Sequence, residues 1–78
     1  MRNKKDIKKN VLDIFQKKFK IKKKIYKYDE IVSWDSLAHM SLITSIEKKF
    51  KIIIENNDMP KLLSSDLFIN YINVRKKT

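Results

Sequence analysis

The chain has 78 residues and therefore room for one domain at most, and a domain this small buries only about 60% of its unfolded surface. It has no cysteine and no glycine, which excludes disulfides, thiolate metal sites, thiol nucleophiles and glycine-rich phosphate loops. Its apolar runs are far shorter than the roughly 20 residues of a membrane span, and no apolar signal core follows the basic N-terminus. We therefore expect a cytoplasmic protein without a membrane span.

The net charge of +10 is unevenly distributed along the chain. Residues 1–28 carry +10, residues 29–60 carry −3 and residues 61–78 carry +3. A basic N-terminal third can be a solvated helix face, a basic patch for an acidic partner or a phosphate-binding surface. Basic runs of this kind can also indicate binding to nucleic acid. We favour the solvated face, because residues 1–28 contain no recognised recognition helix and their first aromatic residues fall on the apolar side of a predicted helix.

An amphipathic first helix is predicted over residues 3–19. Asn3 can cap its start, and Asp6 lies in its first turn. Residues 20–35 have no sustained period, which predicts a long loop held by its isoleucines and tyrosines. A short strand over 25–28 would lack an obvious partner. The prediction of the first helix depends on apolar residues that recur at the spacing of one helix face: Ile7, Val11, Ile14, Phe15 and Phe19.

A second helix is predicted over residues 36–50. Asp35 and Ser36 are both good capping residues, and the apolar residues after them recur at intervals of three and four. The hydroxyl of Ser36 therefore lies where a helix begins. Unpaired N–H groups and the positive end of the helix dipole favour a phosphate or another anion there.

Two further helices are predicted in the last third of the chain. Pro60 is tolerated in the first turn of a helix and indicates a short third helix over 58–63. The serine pair at 64–65 can cap a fourth helix over about 65–75. The sequence thus predicts an all-α fold, a small four-helix bundle in one domain over 1–78, with its longest loop between the first two helices.

Residues 35–52, DSLAHMSLITSIEKKFKI, resemble the acyl carrier protein family. The shared pattern is Asp-Ser-Leu at a helix start, then Glu47 and Phe50 before an isoleucine-rich link. The tail PKLLSSDLFINYI resembles the family's third and fourth helices, so the resemblance covers nearly the whole chain. Trp34 before the motif is typical of a divergent branch and not of the fatty-acid synthesis type.

The resemblance implies that Ser36 carries a covalent 4′-phosphopantetheine arm, which makes the chain a phosphoprotein. The thiol of the arm would hold an acyl or aminoacyl group as a thioester, so the chain would be a carrier and not an enzyme. A phosphopantetheinyl transferase would attach the arm, and a ligase or acyltransferase of a dedicated biosynthetic pathway would load it. We expect a monomer that does not bind nucleic acid. A thiol supplied by a cofactor is compatible with a chain that has no cysteine.

The predicted cofactor site consists of Ser36, Asp35 and Leu37. Asp35 would cap the helix and would orient or coordinate groups during attachment of the arm. Leu37 and Met40 could flank the arm, although we favour core or partner-facing packing for each. Trp34 can anchor a partner, although we favour a core position for it. His39 shares a face with Ser36 and could touch the phosphate, although we favour a solvated position. The predicted partner-facing residues are Trp34, His39, Met40 and Glu47.

The second helix lacks the acidic surface that is usual in this family. Its exposed positions are predicted to carry neutral residues, so we expect a loading enzyme whose interface is less basic or more apolar. One alternative is a small basic helical protein that binds nucleic acid or an anionic surface. Another is a carrier-like fold that is never modified and acts only as a protein partner. The neutral positions are Ala38, His39, Ser41, Thr44 and Ser45.

Overall fold

The computed structural model describes residues 4–76 of the chain. Over this range the fold is all-α, as predicted, and it contains no strand beyond an isolated antiparallel bridge between Lys27 and Ser64. No helix within the described range is long and apolar enough to cross a membrane. The elements are α1 (Lys4–Phe19), α2 (Ser36–Phe50), α3 (Ser65–Lys76) and two single turns of 3₁₀ helix, Tyr28–Glu30 and Met59–Lys61.

The predicted count of four helices is wrong, because the described residues form three α-helices. The segment predicted as a helix over 58–63 is one 3₁₀ turn with Pro60 in its first positions. The turn ends where the next residues extend to pair with the long loop. The Tyr28 N–H donates to the Leu63 carbonyl at 2.9 Å, and the Ser65 N–H donates to the Tyr26 carbonyl at 2.8 Å. A continuing helix would have used these backbone groups internally.

The observed limits of α1 and α2 agree with the predicted limits to within one residue. The predicted cap Asn3 lies outside the described residues. Both helices end on a lysine in the left-handed conformation, Lys20 with φ 60° and Lys51 with φ 56°. Glycine usually occupies this position, because a side chain makes the left-handed conformation less favourable. This chain has no glycine to place there.

One apolar core joins the three helices and the long loop. Phe15 is completely buried, and its ring centroid lies 5.2 Å from that of Tyr26, 5.3 Å from that of Trp34 and 5.6 Å from that of Phe68. Burial of a side chain of this size contributes about 1.5–3 kcal/mol. The buried apolar residues are Ile7, Val11, Phe15, Tyr26, Ile31, Trp34, Ala38, Leu42, Ile43, Ile46, Phe50, Ile54, Leu62, Phe68 and Ile72.

Tyr26 holds the long loop between α1 and α2 in place. Its buried hydroxyl donates to the Ile21 carbonyl at 2.7 Å and accepts from the Lys23 N–H at 3.1 Å. Its own N–H donates to the Ser65 hydroxyl at 2.9 Å. The prediction that side chains hold this loop is therefore confirmed for Tyr26. It is not confirmed for Ile21 and Ile25, whose side chains are 44% and 40% exposed.

Candidate functional site

Asp35 caps α2, as its position in the sequence predicted. Its backbone is extended, and its Oδ1 atom accepts from the Ala38 N–H at 2.9 Å. The Asp35 carbonyl accepts the first helical bond, from the His39 N–H at 2.8 Å. Ser36 is thus the first residue of the helix. The N–H groups of Ser36 and Leu37 precede the first helical hydrogen bond and have no carbonyl partner within the helix.

Ser36, which bears the candidate hydroxyl, is exposed and lies beside apolar side chains. Ser36 and Asp35 are both exposed. Leu37 is 84% exposed and Met40 is 50% exposed, although both are large and apolar. Val32, in the turn before α2, is fully exposed and was missed by the sequence reasoning. Leu37 and Met40, which lie within about one helical turn of Ser36, are called the apolar rim below.

Trp34 lies in the core and not on the partner-facing surface. It is 2% exposed, and its ring packs against Phe15 at 5.3 Å, Phe19 at 5.6 Å and Tyr28 at 5.7 Å between centroids. The core position that we favoured is therefore confirmed, and the free chain does not offer this side chain to a partner. Because Trp34 precedes Asp35 directly, its packing anchors the residue before the cap in the core.

His39 is half-buried and does not occupy the solvated position that we favoured. The Trp34 Nε1–H donates to His39 Nδ1 at 3.0 Å, and His39 Nε2 lies 2.7 Å from the Met59 carbonyl oxygen. A neutral ring with its hydrogen on Nε2 satisfies both contacts, because Nδ1 then accepts and Nε2 donates. The two rings also stack, with 5.9 Å between centroids. His39 therefore ties the start of α2 to the second 3₁₀ turn.

Two other residues of α2 have internal roles that the sequence reasoning did not assign. Glu47 is half-buried, and its Oε2 atom accepts from the Ile54 N–H at 2.9 Å, which holds the link after the helix. Ala38 is only 6% exposed and belongs to the core, so the prediction that it lies on the surface is wrong. Thr44 and Ser45 are exposed, as predicted. The outer surface of α2 near Ser36 is thus neutral, with its only carboxylate, that of Asp35, at the cap.

A basic surface lies next to this neutral helix. Residues 17–27, called the lysine-rich segment, contain seven lysines and no acidic residue. Six of the seven are exposed. The seventh, Lys23, forms the segment's one ion pair among the described residues, with Glu30 at 3.6 Å. The lysines are Lys17, Lys18, Lys20, Lys22, Lys23, Lys24 and Lys27.

Two contacts place the end of α1 beside α2, one before the helix start and one along its middle turns. Phe19, between Lys18 and Lys20, packs its ring 5.6 Å from that of Trp34, two residues before Ser36. A groove of about 230 Å³ also separates α1 from α2. It is lined by Lys17, Lys18 and Ile14 on one side and by Ser41, Leu42 and Ser45 on the other.

The site as a whole presents an exposed hydroxyl at the start of a helix. No group of three or more His, Asp or Glu side chains within residues 4–76 is arranged to hold a metal ion. The arrangement can hold an anion at a helix start and display a nucleophilic oxygen to another protein. Comparisons of the chain with protein-family models, with curated proteins and with solved structures gave no match.

Proposed function

We propose that this chain is a carrier protein whose Ser36 bears a 4′-phosphopantetheine arm and that it carries an acyl or aminoacyl thioester in a dedicated biosynthetic pathway. The observation that carries the proposal is the position of Ser36, exposed as the first residue of α2 and directly after the capping side chain of Asp35. The Asp-Ser-Leu resemblance to acyl carrier proteins supplies the identity of the arm.

The residues around Ser36 are compatible with a phosphodiester. The first-turn N–H groups of Ser36 and Leu37 favour an anion, as does the positive end of the helix dipole. The exposed rim residues Leu37 and Met40 can contact the carbon chain of the arm. When bound, the arm supplies the thiol that forms the thioester, in a chain with no cysteine of its own.

The chain's own residues position the hydroxyl and leave the chemistry to other proteins. Asp35 commits one carboxylate oxygen to the Ala38 N–H, and the other takes no part in the cap. That second oxygen is available to help orient or coordinate during attachment. The contact of Trp34 with His39 fixes the helix start from inside. A tethered arm then raises the local concentration of its cargo at each partner enzyme.

The test is an intact mass measurement after co-expression with the phosphopantetheinyl transferases of the source organism. We expect a gain of one phosphopantetheine in the wild-type chain and none in Ser36→Ala. Ser33→Ala is the matched control, because Ser33 is an exposed serine three residues earlier, and this variant should still gain the arm. Absence of any gain in the wild-type chain with every cognate transferase would refute the proposal.

A second candidate function is supported by the lysine-rich segment, whose six exposed lysines suit nucleic acid or another anionic surface. This candidate predicts an affinity for a labelled nucleic acid that falls steeply with salt and is unchanged in Ser36→Ala. The carrier proposal predicts no such salt-dependent affinity for nucleic acid. A carrier-like partner that is never modified would give no mass gain and no salt-dependent binding to nucleic acid.

A further inference from the structure

The proposed function leaves the lysine-rich segment without a role. Proteins that act on Ser36 must cover the surface around it, and a standard interface buries about 800 Å² on each partner. That is about one seventh of the 5773 Å² of accessible surface of this small chain. An interface of this size centred on Ser36 extends over the nearest part of α1. The groove shared by Lys17, Lys18 and Ser41, together with the contact of Phe19 with Trp34, identifies that part as its last turn.

We propose that the enzymes that modify and load Ser36 dock on the last turn of α1 through a surface rich in Asp and Glu. This inference rests on the proposed carrier function. Of the nearby lysines, Lys17, Lys18 and Lys20 are exposed, and none forms an ion pair with a carboxylate among the described residues. The outer face of α2 offers a basic partner little to attract it. The charged surface that attracts partner enzymes to this carrier therefore lies on α1 and is positive.

The same residues are poorly suited to single-stranded nucleic acid. Binding without base pairing uses exposed aromatic rings on which bases stack. Of the aromatic residues in and beside the lysine-rich segment, Phe15 and Tyr26 are buried and Phe19 is half-buried, so Tyr28, 45% exposed, is the one open ring there. A membrane is also a poor occupant, because Ser36 must stay open to one enzyme after another.

The test is the rate of Ser36 modification by the cognate transferase, followed by intact mass with coenzyme A as the donor. The test variant is Lys17→Glu with Lys18→Glu. The matched control is Lys48→Glu with Lys49→Glu, because both pairs are exposed and lie in the last turn of their helix. The control pair lies at the far end of α2, about 18 Å along the helix axis from Ser36. Circular dichroism checks that each variant is folded.

At low salt we expect the test variant to lose about tenfold or more in kcat/KM, because electrostatic steering changes association rates by 10-fold to 1000-fold. The control should change by less than the test variant, and by less than about twofold at about 0.15 M salt, because its charges lie about 18 Å along the helix axis from Ser36 and the Debye length is then about 8 Å. The difference should shrink between about 0.01 M and 1 M salt, where the Debye length falls from about 30 Å to about 3 Å. The kcat/KM of Lys17→Gln with Lys18→Gln should lie between those of the wild type and the test variant. This neutral variant replaces the test variant if the latter does not fold.

Three results would overturn the inference. If the wild-type chain is modified and the test and control variants react at equal rates, the docking role of α1 is refuted and the carrier function is not. A faster rate in the test variant would show that the partner surface is basic. Binding of labelled RNA or of anionic lipid vesicles at physiological salt, lost in the test variant, would assign these lysines to another ligand. If the wild-type chain is not modified at all, the proposed function fails and the inference fails with it.

Discussion

Replacing His39 with alanine is expected to destabilise the protein far more than its half-buried position indicates. The ring accepts from the Trp34 Nε1–H at 3.0 Å and contacts the Met59 carbonyl oxygen at 2.7 Å. Trp34 is 2% exposed, so its N–H has no ready access to water once its acceptor is removed. The substitution therefore leaves a buried donor without a partner, which is among the costly changes in a small core.

The magnitude follows from the two contacts. An unsatisfied buried donor at Trp34 costs about 1–3 kcal/mol. The lost bond to Met59 costs about 0.5–1.5 kcal/mol. The total is about 1.5–4.5 kcal/mol, which is a large share of the roughly 4–12 kcal/mol expected for a domain of this length. The melting temperature should fall by at least about 6 °C, since each kcal/mol shifts it by about 4–8 °C.

Urea denaturation measures the free energy of unfolding, and Trp34, the single tryptophan, reports its own surroundings by fluorescence. Ser45→Ala is the control, because Ser45 is an exposed residue of the same helix. A double-mutant cycle followed by circular dichroism isolates the contact. In a Trp34→Phe background, His39→Ala should cost at least about 1 kcal/mol less than in the wild type, because no donor is left unpaired. A loss below about 0.5 kcal/mol in the wild type, or no coupling in the cycle, would refute the reasoning.

Four further substitutions separate the roles of the remaining residues. Asp35→Ala should lower the free energy of unfolding in urea by about 1 kcal/mol through loss of the cap, whereas Ser36→Ala should change it by less than about 0.5 kcal/mol because that side chain is exposed. Lys51→Gly should raise the free energy of unfolding by about 0.5–1 kcal/mol, measured by thermal melts. The left-handed conformation penalises a side chain by about 1–2 kcal/mol, and the extra unfolded-state entropy of glycine offsets part of the gain. An unchanged melting temperature would contradict this prediction. Tyr71→Phe should lower the free energy of unfolding by about 1–2 kcal/mol and speed amide hydrogen exchange in the link after α2. The Tyr71 hydroxyl donates to Asp58 at 2.9 Å and accepts from two further donors, and all three contacts would be lost. Unchanged exchange would contradict this prediction.

Helix limits and the capping residue could be predicted because they depend on local sequence. Asp35 caps α2 through the Ala38 N–H three residues later, a contact that the residue type and its position before an apolar run already indicate. The limits of α2 follow from the same local spacing, with Phe50 as the last core residue. Exposure of Ser36 also follows, since the first residue of a surface helix has its polar end in water.

The errors concern residues whose state depends on distant partners. The third helix was predicted from Pro60, but residues 62–64 leave the helical path because the backbone around them pairs with Tyr26 and Tyr28 from across the fold. His39 was expected in solvent, since nothing in the sequence shows that Trp34 and Met59 would meet it on both sides of its ring. Contacts over such separations are set by tertiary packing and have no periodic signal.

Trp34 joins the two halves of the proposed interface into one unit. Its ring contacts Phe19, the last residue of α1, and its indole N–H binds His39 in the first turns of α2. The lysines on either side of Phe19 are therefore held at a spacing from Ser36 that core packing determines, although a loop of 16 residues separates the two helices in sequence. Charges fixed relative to a hydroxyl can orient an approaching enzyme as well as attract it. The apolar rim around Ser36 then supplies area that is removed from water after encounter, so changes in the rim should act on dissociation and changes in the lysines on association.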